Sequence, residues 1–228
     1  MNTSVKIKSS EFICSSAKVE QCPKPGIPEY AFIGRSNVGK SSLINMVCEK
    51  KNLSKVSKKP GKTKLINHFL IKPNGPMLSK GSTINQKEGI QSHGNSEWYL
   101  VDLPGFGYAG VSKAEKEGWK KWFTDYFVKR ENLMCAFVLL DSRIPPQKID
   151  VEFMRWLGEN KVPFSMVFTK TDKLSSNELV KNVSLYKREM LLWWEALPHI
   201  FITSSLNKKG REELLWFIFE TNKTWKNE

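Results

Sequence analysis

Gly34-Arg35-Ser36-Asn37-Val38-Gly39-Lys40-Ser41 is the stretch on which the fold of this chain turns. GxxxxGKS between an apolar run and an amphipathic one is a phosphate-binding loop. Main-chain amides and the positive end of the following helix dipole point at anionic oxygens. Lys40 reaches the terminal phosphates of a nucleoside triphosphate, and the Ser41 hydroxyl completes a magnesium shell. Upstream, Tyr30-Ala31-Phe32-Ile33 reads as a buried strand. Downstream, Leu43, Ile44, Met46 and Val47 give one apolar face to a helix expected over 39–51.

Working outward, strands are expected at 65–72, 98–102, 134–141, 163–169 and 200–203, and helices at 113–128, 147–159, 176–195 and 209–225. This alternation predicts an α/β fold. Its open, mainly parallel six-stranded sheet carries helices on both faces and binds ligands at the carboxyl ends of strands. Residues 1–28, broken by Pro23, Pro25 and Pro28, read as an extended N-terminal arm with an edge segment through Val5 and Ile7, and 29–228 as one domain. The stretch 73–97, rich in Gly, Ser, Asn and Gln, reads as a surface insertion extending a hairpin connection. Trp119, Trp122, Phe123 and Phe127 fall along one side of their helix and read as core.

A length of 228 residues with 40% hydrophobic content suits one domain. The longest apolar runs have strand length and the N-terminus lacks a signal-peptide core, so no membrane association is expected and the cytoplasm is the expected compartment. Cys14, Cys22, Cys48 and Cys135 stand far apart without a CxxC pair, which argues for reduced thiols rather than zinc or disulfides. His68, His93 and His199 show no ligand spacing. A net charge of +13, from 36 basic and 23 acidic residues, points to a polyanionic partner such as RNA, or to a highly soluble face. The excess crowds at Lys50, Lys51, Lys55, Lys58, Lys59, Lys62 and Lys64, with more at Lys120, Lys121, Lys129 and Arg130.

Three further elements sit at strand ends. In Asp102-Leu103-Pro104-Gly105 the carboxylate can hold a water of the magnesium shell while the Gly105 amide turns toward a γ-phosphate, which is how a switch works. Thr169-Lys170-Thr171-Asp172 resembles the [NT]KxD element of GTPases, whose aspartate accepts hydrogen bonds from guanine N1 and the exocyclic amine. Adenine lacks those donors, so a carboxylate placed this way rejects ATP. Thr203-Ser204-Ser205 would add backbone and hydroxyl contacts to the base edge.

GRSNVGKSSLIN, KPGKT, DLPGFGYA, TKTDKL and TSS followed by NKKG together resemble the EngB family of bacterial ribosome-assembly GTPases. The likeness runs from about Ser9 to the last helix, except that 73–97 departs from the usual short hairpin. The resemblance implies that Gly34 to Ser41 bind the phosphates and that Gly61, Lys62, Thr63, Lys64 and Leu65 form a first switch. Asp102 to Gly105 form the second, and Thr169 to Asp172 with Thr203 to Ser205 hold guanine. Ser41 and Thr63 would ligate magnesium directly, and Lys40, Thr63 and Gly105 would carry the catalytic contacts to GTP.

Where many GTPases place a water-orienting glutamine this chain has Phe106, which predicts slow intrinsic hydrolysis. Asn37 matches an asparagine that in related GTPases helps bind potassium; the alternative is a residue that steadies the loop by local hydrogen bonds. The implied partner is the large ribosomal subunit or its precursor, with a link to cell division and septation, and the expected state is a monomer. Two other readings stand beside it. One is a nucleotide-gated module acting on division proteins; the other, an ATP-dependent enzyme, is disfavoured by Asp172.

Overall fold

The computed structural model describes residues 4–54, 65–77, 97–106 and 122–225. In chain order the elements are β1 (Ser4–Ser16), β2 (Glu29–Gly34), α1 (Lys40–Val47), β3 (Ile66–Met77), β4 (Trp98–Asp102), α2 (122–129) and β5 (Leu133–Asp141). They continue with α3 (Lys148–Glu159), β6 (Phe164–Thr169), α4 (Ser176–Leu191), β7 (Ile200–Ile202) and α5 (Arg211–Asn222). One seven-stranded sheet runs in the order β1-β3-β4-β2-β5-β6-β7. β4, β2, β5, β6 and β7 are mutually parallel, and β3 is antiparallel to both β1 and β4.

Every residue of β2 is buried, as expected for a central parallel strand covered on both sides. Its side chains alternate. Tyr30 and Phe32 pack with Leu43 and Ile44 of α1 and Leu214 and Ile218 of α5. Ala31 and Ile33 face the other layer, with Tyr126 of α2, Met154 and Leu157 of α3, and Tyr186 of α4. Helices thus cover both faces. Phe123 and Phe127 are buried in that second layer, while Trp119 lies outside the described residues.

The seventh strand corrects the expected count of six. β1 takes up most of the N-terminal arm and pairs with β3 from Ser4↔Met77 to Ser16↔Ile66, with register shifts at Val5/Ile7, Ile7/Ser9 and Phe12/Cys14. Its apolar pattern is weak, since Phe12 is 55% exposed; main-chain pairing with β3 holds most of its length, and Val5 and Ile7 pack on the core. β3 also runs farther than expected, five residues into the stretch read as an insertion. Pro73 and Pro76 are tolerated there because that part of β3 pairs with β1 alone.

At the end of the sheet opposite the phosphate loop, Glu29 is fully buried. It accepts hydrogen bonds from Arg130 through both carboxylate oxygens and from the Tyr126 hydroxyl at 3.2 Å, and it meets His68 Nε2 at 3.2 Å. Burial pushes its pKa up, but His68 and Arg130 outweigh burial and hold it below the ordinary value. Arg130, counted above among the basic residues that would face RNA, is spent here and only 8% exposed. Lys129 is paired with Asp125, and Lys50 donates to the Ser10 carbonyl of β1. All four cysteines are free thiols, and burial raises Cys48 and Cys135 to about 12.

Candidate nucleotide site

β2 ends at Gly34, where the chain must turn while touching two neighbours. A Cβ on Gly34 would lie 2.8 Å from the Leu139 carbonyl of β5, and one on Gly105 would lie 2.7 Å from the Gly34 carbonyl. Only glycine fits either place. The ends of β2 and β4 are therefore in van der Waals contact, tied further by a Phe106 N–H to Gly34 carbonyl hydrogen bond of 3.3 Å. The loop then bends through two left-handed residues, Asn37 (φ 62°) and Gly39 (φ 104°), which turn it into the N-terminus of α1. The amides at that terminus and its dipole favour an anion.

Lys40 opens α1 and forms an ion pair with Asp102 Oδ1. Asp102 Oδ2 accepts a hydrogen bond from the Ser54 hydroxyl at 2.9 Å. Ser41, half-buried, follows Lys40 on the same turn. A hydroxyl and a carboxylate beside a phosphate-binding terminus are the hard oxygen donors that magnesium takes. With so few protein oxygens, such an ion would complete its shell with phosphate and water oxygens; among the described residues no three His, Cys, Asp or Glu side chains group as a metal site. Gly61, Lys62, Thr63 and Lys64, the rest of the expected first switch, lie outside the described residues; Leu65, at its edge, is exposed.

Leu103, Pro104 and Gly105 leave β4 buried beneath the loop. Phe106 is 5% exposed and stacks on Phe153 of α3 with ring centroids 4.5 Å apart, so its ring belongs to the core. The Arg35 side chain also turns away from the loop's anion-binding side, donating to Asp150 Oδ1 of α3 at 3.0 Å. Burial raises the Asp150 pKa, with Arg35 and Tyr186 offsetting it in part. Val38 is buried, while Ser36 and Asn37 lie on the outside of the turn.

The second group of residues meets the loop from β6 and β7. The Thr169 hydroxyl donates to the Val38 carbonyl at 2.6 Å. Lys170, itself left-handed (φ 58°), donates from Nζ to the Asn37 carbonyl at 2.6 Å and to Asp141 Oδ2 at 2.9 Å. Thr171 is buried on the Thr203 carbonyl, and Thr203 on the Phe168 carbonyl. Thr169, Lys170, Thr171 and Thr203 therefore build the wall with their side chains. Asp172 stands at its rim, with Oδ1 accepting from the Ser204 hydroxyl at 2.6 Å and Lys173 3.5 Å from Oδ2. The Ser204 bond is the main reason its pKa is lowered, so the group is an anion at neutral pH. Ser205, half-buried, lies next to it.

Three contributors were not foreseen. Asp141 ends β5 and collects Arg143 and Lys170. Burial pushes its pKa up, yet those hydrogen bonds prevail and hold it at about 2. A lone carboxylate closing an apolar strand was the available signal. Asp150 sits in a helix whose pattern reads as ordinary, and Ser54 in a polar link, so neither had a signal in the sequence.

The family model described as 50S ribosome-binding GTPase matches residues 29–170. A "Probable GTP-binding protein EngB" of Christiangramia forsetii is 52% identical over 94% of this chain and 96% of its own length. That of Phocaeicola vulgatus is 48% identical over 97% of this chain and 100% of its own. Among solved structures, a probable GTP-binding protein engB superposes with a TM-score of 0.58 at 24% identity, covering 86% of this chain and all of that one. A point variant of Aquifex aeolicus Era bound to GDP·AlF4− gives 0.62 at 18% over 86% of this chain and 57% of its own, a likeness of fold. With the phosphate loop, the Lys40–Asp102 pair and the Asp172 rim gathered at one end of the sheet, the chain belongs to the EngB family of GTP-binding proteins and is a P-loop GTPase.

Proposed function

We propose that this GTPase is a magnesium-dependent switch in assembly of the large ribosomal subunit, with the phosphates over Gly34 to Ser41 and guanine on Asp172. The observation that carries this reading is the convergence of Lys40 and Asp102 with the Gly34–Gly105 contact. A γ-phosphate drawing the Gly105 amide toward itself would strain that contact and move the chain beyond it. Ser41 and Thr63 would hold a magnesium ion, which would supply positive charge to offset that of the phosphates. Turnover is slow, because the Phe106 ring lies in the core where it cannot orient water. A potassium ion held by Asn37 would add positive charge at the loop, a role that the residue's exposure supports. Equal hydrolysis rates in KCl and NaCl at matched ionic strength would remove the potassium role.

Binding to the ribosomal particle draws on the net charge of +13, and the name of the matching family model supports the same partner. The protein acts as a monomer in the cytoplasm, and its loss disturbs division and septation. No described helix is long and apolar enough to cross a membrane. Co-sedimentation with large subunits or their precursors tests the reading. Occupancy should be higher with a non-hydrolysable GTP analogue than with GDP, and equal occupancy would leave a basic RNA binder without a switch.

A further inference from the structure

Ser54 is held by its main chain. Its N–H donates to Asn45 Oδ1 of α1 at 2.9 Å, and Asn45 Nδ2 donates back to the Ser54 carbonyl at 3.1 Å. This reciprocal pair fixes the Ser54 backbone against α1. Ser54 is 3% exposed, and its hydroxyl ends on Asp102 Oδ2 at 2.9 Å, a charge-assisted bond to a buried carboxylate. The other oxygen, Oδ1, is the one paired with Lys40. Two separate segments thus grip the two oxygens of one carboxylate. A phosphate competing for the Lys40 ammonium frees Oδ1, while Oδ2 stays fixed by a hydroxyl that has no part in binding phosphate.

We propose that Ser54, braced by Asn45, is a positioning residue that keeps the Asp102 carboxylate aimed at the magnesium hydration shell, so that metal retention of nucleotide depends on a residue outside every phosphate and base motif. The inference rests on the reading of Asp102 as the carboxylate that serves magnesium. It also gives the polar link after α1 a fixed anchor at Ser54, seven residues before the expected first switch at Gly61.

Release of a fluorescent GDP analogue from the full-length protein, followed across magnesium concentrations and in excess EDTA, is the test. For the parent protein, magnesium should slow release; indifference to magnesium would overturn both this inference and the Asp102 reading. Ser54→Ala should raise the magnesium concentration for half-maximal retention about tenfold, the size of one charge-assisted hydrogen bond, while leaving release in EDTA unchanged. Asn45→Ala should shift the curve in the same direction, and adding it to Ser54→Ala should shift it no further. With a magnesium-sensitive parent, a Ser54→Ala curve superimposed on the parent's would overturn the Ser54 role alone. So would an equal acceleration in EDTA, or single effects that multiply in the double variant.

Discussion

Asp172 and Phe106 carry opposite lessons about what one side chain contributes. Asp172 is an anion held at a rim by Ser204, and its two oxygens can meet two donors of guanine. Asp172→Ala should weaken GDP binding by about 10²- to 10⁴-fold, from two charged hydrogen bonds of about 1.5–3 kcal/mol each, with little effect on folding. Competition against a labelled guanine nucleotide measures it, and ADP should fail to displace the label from the parent. Phe106→Gln, by contrast, should not speed hydrolysis. It should lower stability by about 3 kcal/mol, because an aromatic stack is replaced by an amide that burial leaves short of partners. Phosphate release and urea denaturation on the same protein separate the two effects. Asp141 supplies a pH dependence. Its folded pKa of about 2 lies below the ordinary 3.8, so its contribution is complete above 3.8 and is lost as the pH falls toward 2. Asp141→Asn should flatten that part of the acid-unfolding curve.

Helix α3 is the element that grips the site from below, through Asp150 on Arg35 and Phe153 on Phe106. Both held residues flank glycines that touch, so any shift of Gly105 reaches α3 directly. At the other end of the sheet, Glu29 ties β2 to α2, β3 and the segment before β2, through Tyr126, Arg130 and His68. Glu29→Gln should cost about 3–5 kcal/mol in urea denaturation, since Arg130 would be left buried without its counter-charge. Elements with strong periodicity were legible from the sequence: β2, β5, β6, α3 and α4 fall close to their expected spans, and GxxxxGKS placed the loop between β2 and α1. β1 was legible only as an edge segment through Val5 and Ile7, because from Glu11 to Ile13 three consecutive residues are exposed and leave no alternation to read. Arg130 looked like a surface cation, since the carboxylate that buries it lies 101 residues away. The Ser54–Asp102 bond likewise joins residues 48 apart and exists only once β4 lies beside the link after α1.

Taken whole, the molecule joins a nucleotide end to a chain of net charge +13. If about three phosphates are contacted on a ribosomal particle, a fourfold rise in salt should weaken binding about twentyfold on single-stranded and about fortyfold on duplex RNA, and sedimentation across a salt series would measure the slope. The bulged outer strand has its own consequence at this scale. β1 closes the sheet on one side with its register broken in three places and with Lys6 and Lys8 exposed along it. A kinked, charged rim cannot template the next chain, whereas the Asn67–Ile71 run of β3 behind it, paired with β4 without a register shift, could. The N-terminal strand is thus a sacrificial hem: cut away at residue 16, it should leave a protein that clouds on standing.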